Sequence, residues 1–287
     1  MREKIMDSFL KHFTAYEYLT HRYELDELPN LPLADEPFVR EWEIWLENPN
    51  ESPYDVRNML SDTSTTSWLE QTSAGRIPVL YTKSRGAFER AINALYPGGS
   101  ADAAKIPASV NAFTIKAKHP ALTGHRVILL NRSGYSALSG KAVKKLGVEE
   151  DAWLEKSMTL RLNHEICHYF SLRVLGGMRN HVLDEIAADC VGQLAVFGTF
   201  KASLQRLFFG MSKMSQGELK ILPGGRFSFY VKKLCGTSVD VVLEETDAAL
   251  RSLESYLEKN PDMTLEHNRP RLLTKLLTTG ISGMRGL

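Results

Sequence analysis

Three regimes of apolar and polar spacing follow one another along the chain. The opening part reads as helical: Trp42, Trp45 and Leu46 recur at helical spacing and would turn one face onto a core. A second regime mixes strands and helices. Ile77–Thr82 reads as a short strand. Residues 86–95 read as a helix closed by Tyr96-Pro97-Gly98-Gly99. Residues 109–115 and 125–131 are two further strand candidates. The run Val127-Ile128-Leu129-Leu130 predicts a strand buried on both faces or lying against a helix.

From about Asp151 the period becomes helical. One helix is expected over residues 155–175, ended by Gly176-Gly177, and a second from Asn180, a good N-cap, to about Phe197. A short strand carrying Phe227, Phe229 and Val231 follows the Pro223-Gly224-Gly225 turn, and further helices cover residues 239–257 and 270–277. Strands first and helices later predict an α+β layer architecture, a small mixed sheet with a helical C-terminal part. The polar stretch Asp62-Thr63-Ser64-Thr65-Thr66-Ser67 reads as a boundary or loop. The expected organisation is therefore an acidic helical extension over residues 1–70 and a main domain over residues 71–287.

Charge sharpens the picture at the two ends. Between Glu24 and Asp55 the only basic residue is Arg40. That segment is either a solvated helix face with a buried stripe or a segment that covers a cleft. Beyond Glu266 the charged side chains are all basic: Arg269, Arg271, Lys275 and Arg285. The net charge of +1 gives no electrostatic case for nucleic acid. No apolar run reaches the ~18 residues that span a bilayer, so no membrane partner is expected. The start, Met1-Arg2-Glu3-Lys4-Ile5-Met6-Asp7, lacks the apolar core of a secretory signal. Three cysteines, Cys167, Cys190 and Cys235, are too few and odd in number for a disulfide framework, and a reducing cytoplasm is the expected setting.

The chemistry concentrates in one segment. His164 and His168 stand four apart on an expected helix, so both imidazoles leave one face, a turn apart. That spacing lets each place a nitrogen ~2.0–2.1 Å from one Zn²⁺. Glu165, beside the first histidine, can reach a metal-bound water without being a ligand. A third, oxygen ligand is available downstream, where Glu185 and Asp189 are four apart. A helical hairpin reversing at Gly176-Gly177 would bring Glu185 near the two histidines. His181, one turn before Glu185, is an alternative third ligand. Tyr169, Arg173, Tyr230 and His267 are candidates for stabilising an oxyanion, and nothing in the sequence chooses among them. Cys167 and Cys190 read as small buried packing residues. The chain has no glycine-rich phosphate loop after a strand and no Gly-x-Ser-x-Gly elbow.

His164-Glu165-x-x-His168 followed by Glu185-x-x-x-Asp189 resembles the gluzincin group of zinc metallopeptidases, the thermolysin-like class, over about residues 155–195. The resemblance implies a zincin-like domain. It implies His164, His168 and Glu185 as zinc ligands, Glu165 as general base, and Asp189 as the carboxylate that orients a ligand histidine. It also implies hydrolysis of peptide bonds in a peptide or protein substrate. Three protein ligands leave a fourth position for water, and an orienting carboxylate raises ligand basicity, so the implied roles are chemically coherent. The same residues admit two other functions: an interaction protein whose zinc is structural, or hydrolysis of a non-peptide amide. Glu165 favours catalysis, because a structural site has no use for that carboxylate.

Overall fold

A strand that is apolar at every position needs cover on both faces, and Val127, Ile128, Leu129 and Leu130 are all fully buried. In a computed structural model of the chain, residues 14–97, 110–138, 140–179, 181–214, 218–234 and 236–287 are described. The elements run α1 (Ala15–Leu19), α2 (Val39–Glu47), α3 (Tyr54–Leu60), β1 (Thr65–Glu70), β2 (Ile77–Thr82), α4 (Arg85–Leu95), β3 (Ala112–Lys116) and β4 (Arg126–Asn131). They continue through α5 (Gly140–Lys145), α6 (Glu150–Val174), α7 (Val182–Phe197), α8 (Ala202–Phe209), β5 (Met211–Lys213), β6 (Leu219–Ile221), α9 (Phe227–Tyr230), α10 (Gly236–Lys259) and α11 (Arg269–Met284). The protein is thus α+β, with a small mixed sheet and a helical C-terminal part. The described residues fall into two compact units, one within Glu27–Met178 and the other made of residues 14–26 with Arg179–Leu287.

The unit Glu27–Met178 is built on a four-stranded sheet in the order β1-β2-β4-β3. β2 and β4 are parallel neighbours, while β1 and β3 pair antiparallel at the two edges. One face carries the main core, where Leu80, Val127 and Leu129 meet Phe38, Trp42, Trp45, Val56 and Phe88 from α2, α3, α4 and the segment before α2. Side chains alternate across a strand. Ile128 and Leu130 therefore turn to the other face, where α6 packs on β3 and β4.

The acidic segment belongs to this core: Trp42 and Trp45 are buried, and the Trp42 indole donates to His125 Nδ1 at 3.2 Å. Three of its carboxylates are answered within the same unit. Arg76 bonds Asp35 and Glu43, while Glu36 pairs with Arg126 and accepts from the Tyr169 hydroxyl. The buried-stripe reading of this segment therefore holds. Its α-helix is confined to α2 and α3, because Pro29, Pro32 and Pro37 remove backbone donors ahead of α2.

The unit containing residues 179–287 is helical. α10 packs against α1, α8 and α11, and α11 packs against α7. β5 and β6 form a two-stranded antiparallel hairpin. The left-handed cap Gly210 between α8 and β5 has φ +68, and a Cβ there would lie 2.5 Å from the Gly225 Cα.

Two expectations are corrected. The stretch read as a boundary enters β1 at Thr65: its polar Thr65, Thr66 and Ser67 sit on an edge strand whose exposed positions need no apolar side chain. Residues Phe227–Tyr230 are one turn of helix, α9, not a strand. Phe227 and Tyr230, three apart, both lie against Phe209, at 5.6 and 6.2 Å between ring centroids, which is a helical and not a strand spacing. Asn180, Ser109, Gly98, Gly99 and Cys235 lie outside the described residues. α7 opens with His181 as its N-cap.

Candidate metal centre

α6 starts well because Glu150 and Asp151 place negative charge in its first turn, and it ends with Arg173 in its last. Its sheet-facing stripe sets His164, Glu165 and His168 in the interior. The two imidazole rings stand at 89° with centroids 4.5 Å apart, and their Nε2 atoms are 2.9 Å apart. Two lone pairs cannot face each other at that distance; a proton or a cation must lie between them. A tetrahedral ion with bonds of ~2.0–2.1 Å separates two nitrogens by roughly 3.4 Å, so a slight spreading of the rings accommodates one.

Two polar groups of the motif are met from the sheet side. The Tyr135 hydroxyl, just after β4, lies 3.0 Å from His164 Nδ1. The Thr114 hydroxyl of β3 donates to Glu165 Oε2 at 2.8 Å. Thr114 is the register partner of Ile128, so it stands on the sheet face that α6 covers.

α7 is buried from Val182 to Leu194, polar residues included. A polar group at such a position must be bonded. Asp184 accepts from the Tyr23 hydroxyl at 2.6 Å. Glu185 Oε2 accepts from Arg226 Nη2 and from the Tyr230 hydroxyl, both at 2.8 Å. Burial pushes the Tyr230 phenol well above its ordinary range, so it donates as the neutral form. Asp189 accepts from Gln205 at 2.7 Å and pairs with the same Arg226 at 3.3 Å.

Of the candidate ligands, His164 and His168 on α6 and Glu185 on α7 are each buried. His181 is engaged elsewhere. Its Nδ1 accepts from the Leu183 amide and its Nε2 meets the Tyr18 carbonyl, each at 3.0 Å. Of the four oxyanion candidates, Tyr230 bonds Glu185. Tyr169 and Arg173 bond each other at 2.9 Å, and Arg173 also donates to the Ala74 and Ala34 carbonyls; His267 is exposed. Cys167 and Cys190 are buried and in no disulfide, as expected of packing residues. Thr114, Tyr135 and Arg226 were not anticipated. A hydroxyl at the centre of a strand expected near the motif was the one signal for Thr114, and the other two carried none.

No helix among the described residues is long and apolar enough to cross a membrane. Neither curated proteins nor solved structures yield a match to the chain. Residues 116–283, which include the motif helix, α7 and Arg226, match a family described as a family of unknown function (DUF7005), and the chain belongs to that family.

Proposed function

We propose that this protein is a zinc-dependent hydrolase of zincin-like type that cleaves peptide bonds. The observation that carries the reading is the buried His164–His168 pair, whose Nε2 atoms face each other at 2.9 Å, with the Glu165 carboxylate beside it. Two imidazoles and a carboxylate are the donor set of hydrolytic zinc sites. Both histidines would ligate through Nε2. Glu185 would supply the carboxylate, steadied by Arg226 and Tyr230. Arg226 is shared between Glu185 and Asp189 and holds both carboxylates in place.

A zinc ion held there would supply Lewis acidity and acidify water. Glu165 would take the proton of the attacking water and return it to the leaving amine. Thr114 keeps the Glu165 carboxylate in one rotamer for that transfer. Asp189, held by Gln205 and Arg226, fixes the guanidinium that steadies Glu185. A reducing, cytoplasmic setting suits the two buried thiols.

Elemental analysis of the purified, dialysed chain should find about one zinc, and Glu185→Ala should lose it to a chelator that the parent resists. Glu165→Gln should keep its zinc while peptide hydrolysis falls ~10²–10⁴-fold. A chain that neither carries nor takes up zinc would remove the basis of the proposal.

A further inference from the structure

The loop between β4 and α5 is held to α6 in a way that the proposed reaction leaves unexplained. Ser157, Arg161 and His164 follow one another at spacings of four and three on α6, so they share one face over two turns. All three engage this loop. The Ser157 hydroxyl accepts from the Tyr135 amide at 2.9 Å. Arg161 donates to the Ser133 and Gly134 carbonyls, at 2.6 and 2.7 Å, and lies 5.6 Å from the centre of the Tyr135 ring. His164 Nδ1 meets the Tyr135 hydroxyl at 3.0 Å. Gly134 is where the loop passes closest to the helix: a Cβ there would stand 3.2 Å from the Trp153 indole nitrogen. Ser136, the next residue after Tyr135, has φ 52. Residues with a side chain avoid that left-handed region, and it persists where the surroundings over-determine it, which is common beside functional groups.

We infer that Tyr135 is a positioning residue for His164, fixing the ring through Nδ1 so that Nε2 faces the metal. The inference rests on the metal reading above. With Nδ1–H donating to the tyrosine oxygen, Nε2 keeps its lone pair, the tautomer that a ligand histidine needs. The hydrogen bond also stops the ring from rotating about its χ2 and makes Nε2 more basic. Ser157 and Arg161 serve this indirectly, by clamping the backbone that carries Tyr135. The motif helix thus builds the partner of its own first ligand from the strand that precedes it.

Tyr135→Phe tests this, because it keeps the ring under Arg161 and removes only the hydroxyl. Competition with a chromophoric chelator should show zinc affinity down ~10–100-fold, the range for losing such a partner. The visible spectrum of the Co²⁺-loaded variant should differ from that of the Co²⁺-loaded parent, while the thermal midpoint of the metal-free chain should not change. Tyr135→Gln, whose amide oxygen can again accept from Nδ1, should recover part of the loss. Parental zinc affinity and cobalt spectrum in Tyr135→Phe would overturn the inference. So would a Tyr135→Phe chain that no longer folds without metal, since the hydroxyl would then hold the loop rather than the ligand. A parent that takes up no zinc refutes the metal reading itself, and with it this inference, and that outcome is read from the parent alone.

Discussion

Lowering the pH from 7 to 5 should weaken the folded chain through His181, by an amount the structure lets one work out. The ring is stacked on Tyr18 with centroids 3.9 Å apart, accepts the α7 capping bond at Nδ1 and reaches the Tyr18 carbonyl at Nε2. Protonating Nδ1 would set an N–H against the Leu183 N–H. Burial, the His21 ring and the Arg179 charge together hold the His181 pKa down from 6.5 to about 3. The folded value lies below the unfolded one, so under pH 6.5 the unfolded chain gains a proton that the folded chain refuses. The stabilisation is complete above that pH and is lost as pH falls towards 3. At ~1.36 kcal/mol per pH unit, the loss between pH 7 and 5 is about 2 kcal/mol. His181→Asn isolates it, because asparagine can still cap Leu183 but does not titrate. The variant should be weaker at both pH values, by ~1–2 kcal/mol for the lost Tyr18 bond and stacking. In urea unfolding of the metal-free full chain, the parent's drop between pH 7 and 5 should exceed the variant's by about 2 kcal/mol. His21, whose pKa burial also lowers, is present in both proteins and cancels to first order. Equal drops would refute the reasoning.

Gly210→Ala puts a methyl group 2.5 Å from the Gly225 Cα at φ +68, so urea unfolding should show a loss above about 2 kcal/mol; a loss under ~0.5 kcal/mol would contradict the packing described. Trp42→Ala empties a fully buried site between Phe38, Trp45 and the sheet, and should cost about 3–5 kcal/mol by the same measurement. For the same reason, removing residues 1–64 should leave an aggregating chain, and a soluble, more active product would return the acidic segment to the role of a cover.

What could be read in advance follows from where each element is buried. β4 was legible because a strand covered on both faces is apolar at every position. β1 was not, since an edge strand half open to solvent can be written in threonine and serine. α9 misled because three aromatic or apolar residues alternating with two others fit both periods until Phe209 is seen between Phe227 and Tyr230. At the candidate site, His164, Glu165 and His168 were legible because a helix sets their relation over one turn. Their partners were not. Tyr135 is 29 residues from His164, Thr114 is 51 from Glu165, and Arg226 is 41 from Glu185, separations bridged by tertiary packing and not by any local period.

The spacing of Glu185 and Asp189 has two physical explanations, and they make different demands. One is a guanidinium clamp: carboxylates four apart on a helix face can share Arg226, as they do at 2.8 and 3.3 Å. A clamp of that kind is complete in itself and makes no use of histidines. The other is a metal site, in which Arg226 orients a ligand and the ligand's charge is answered by a cation. The histidine pair separates the two. Two imidazole Nε2 atoms turned towards each other at 2.9 Å hold between them either a proton, as an N–H···N hydrogen bond, or a cation, and only the cation gives the Glu165 carboxylate beside them a task. A dication would accept both lone pairs at once, whereas the clamp gives the histidine pair no role. That is why the histidine pair, rather than the Glu185–Arg226 pair, is the feature on which the functional reading turns.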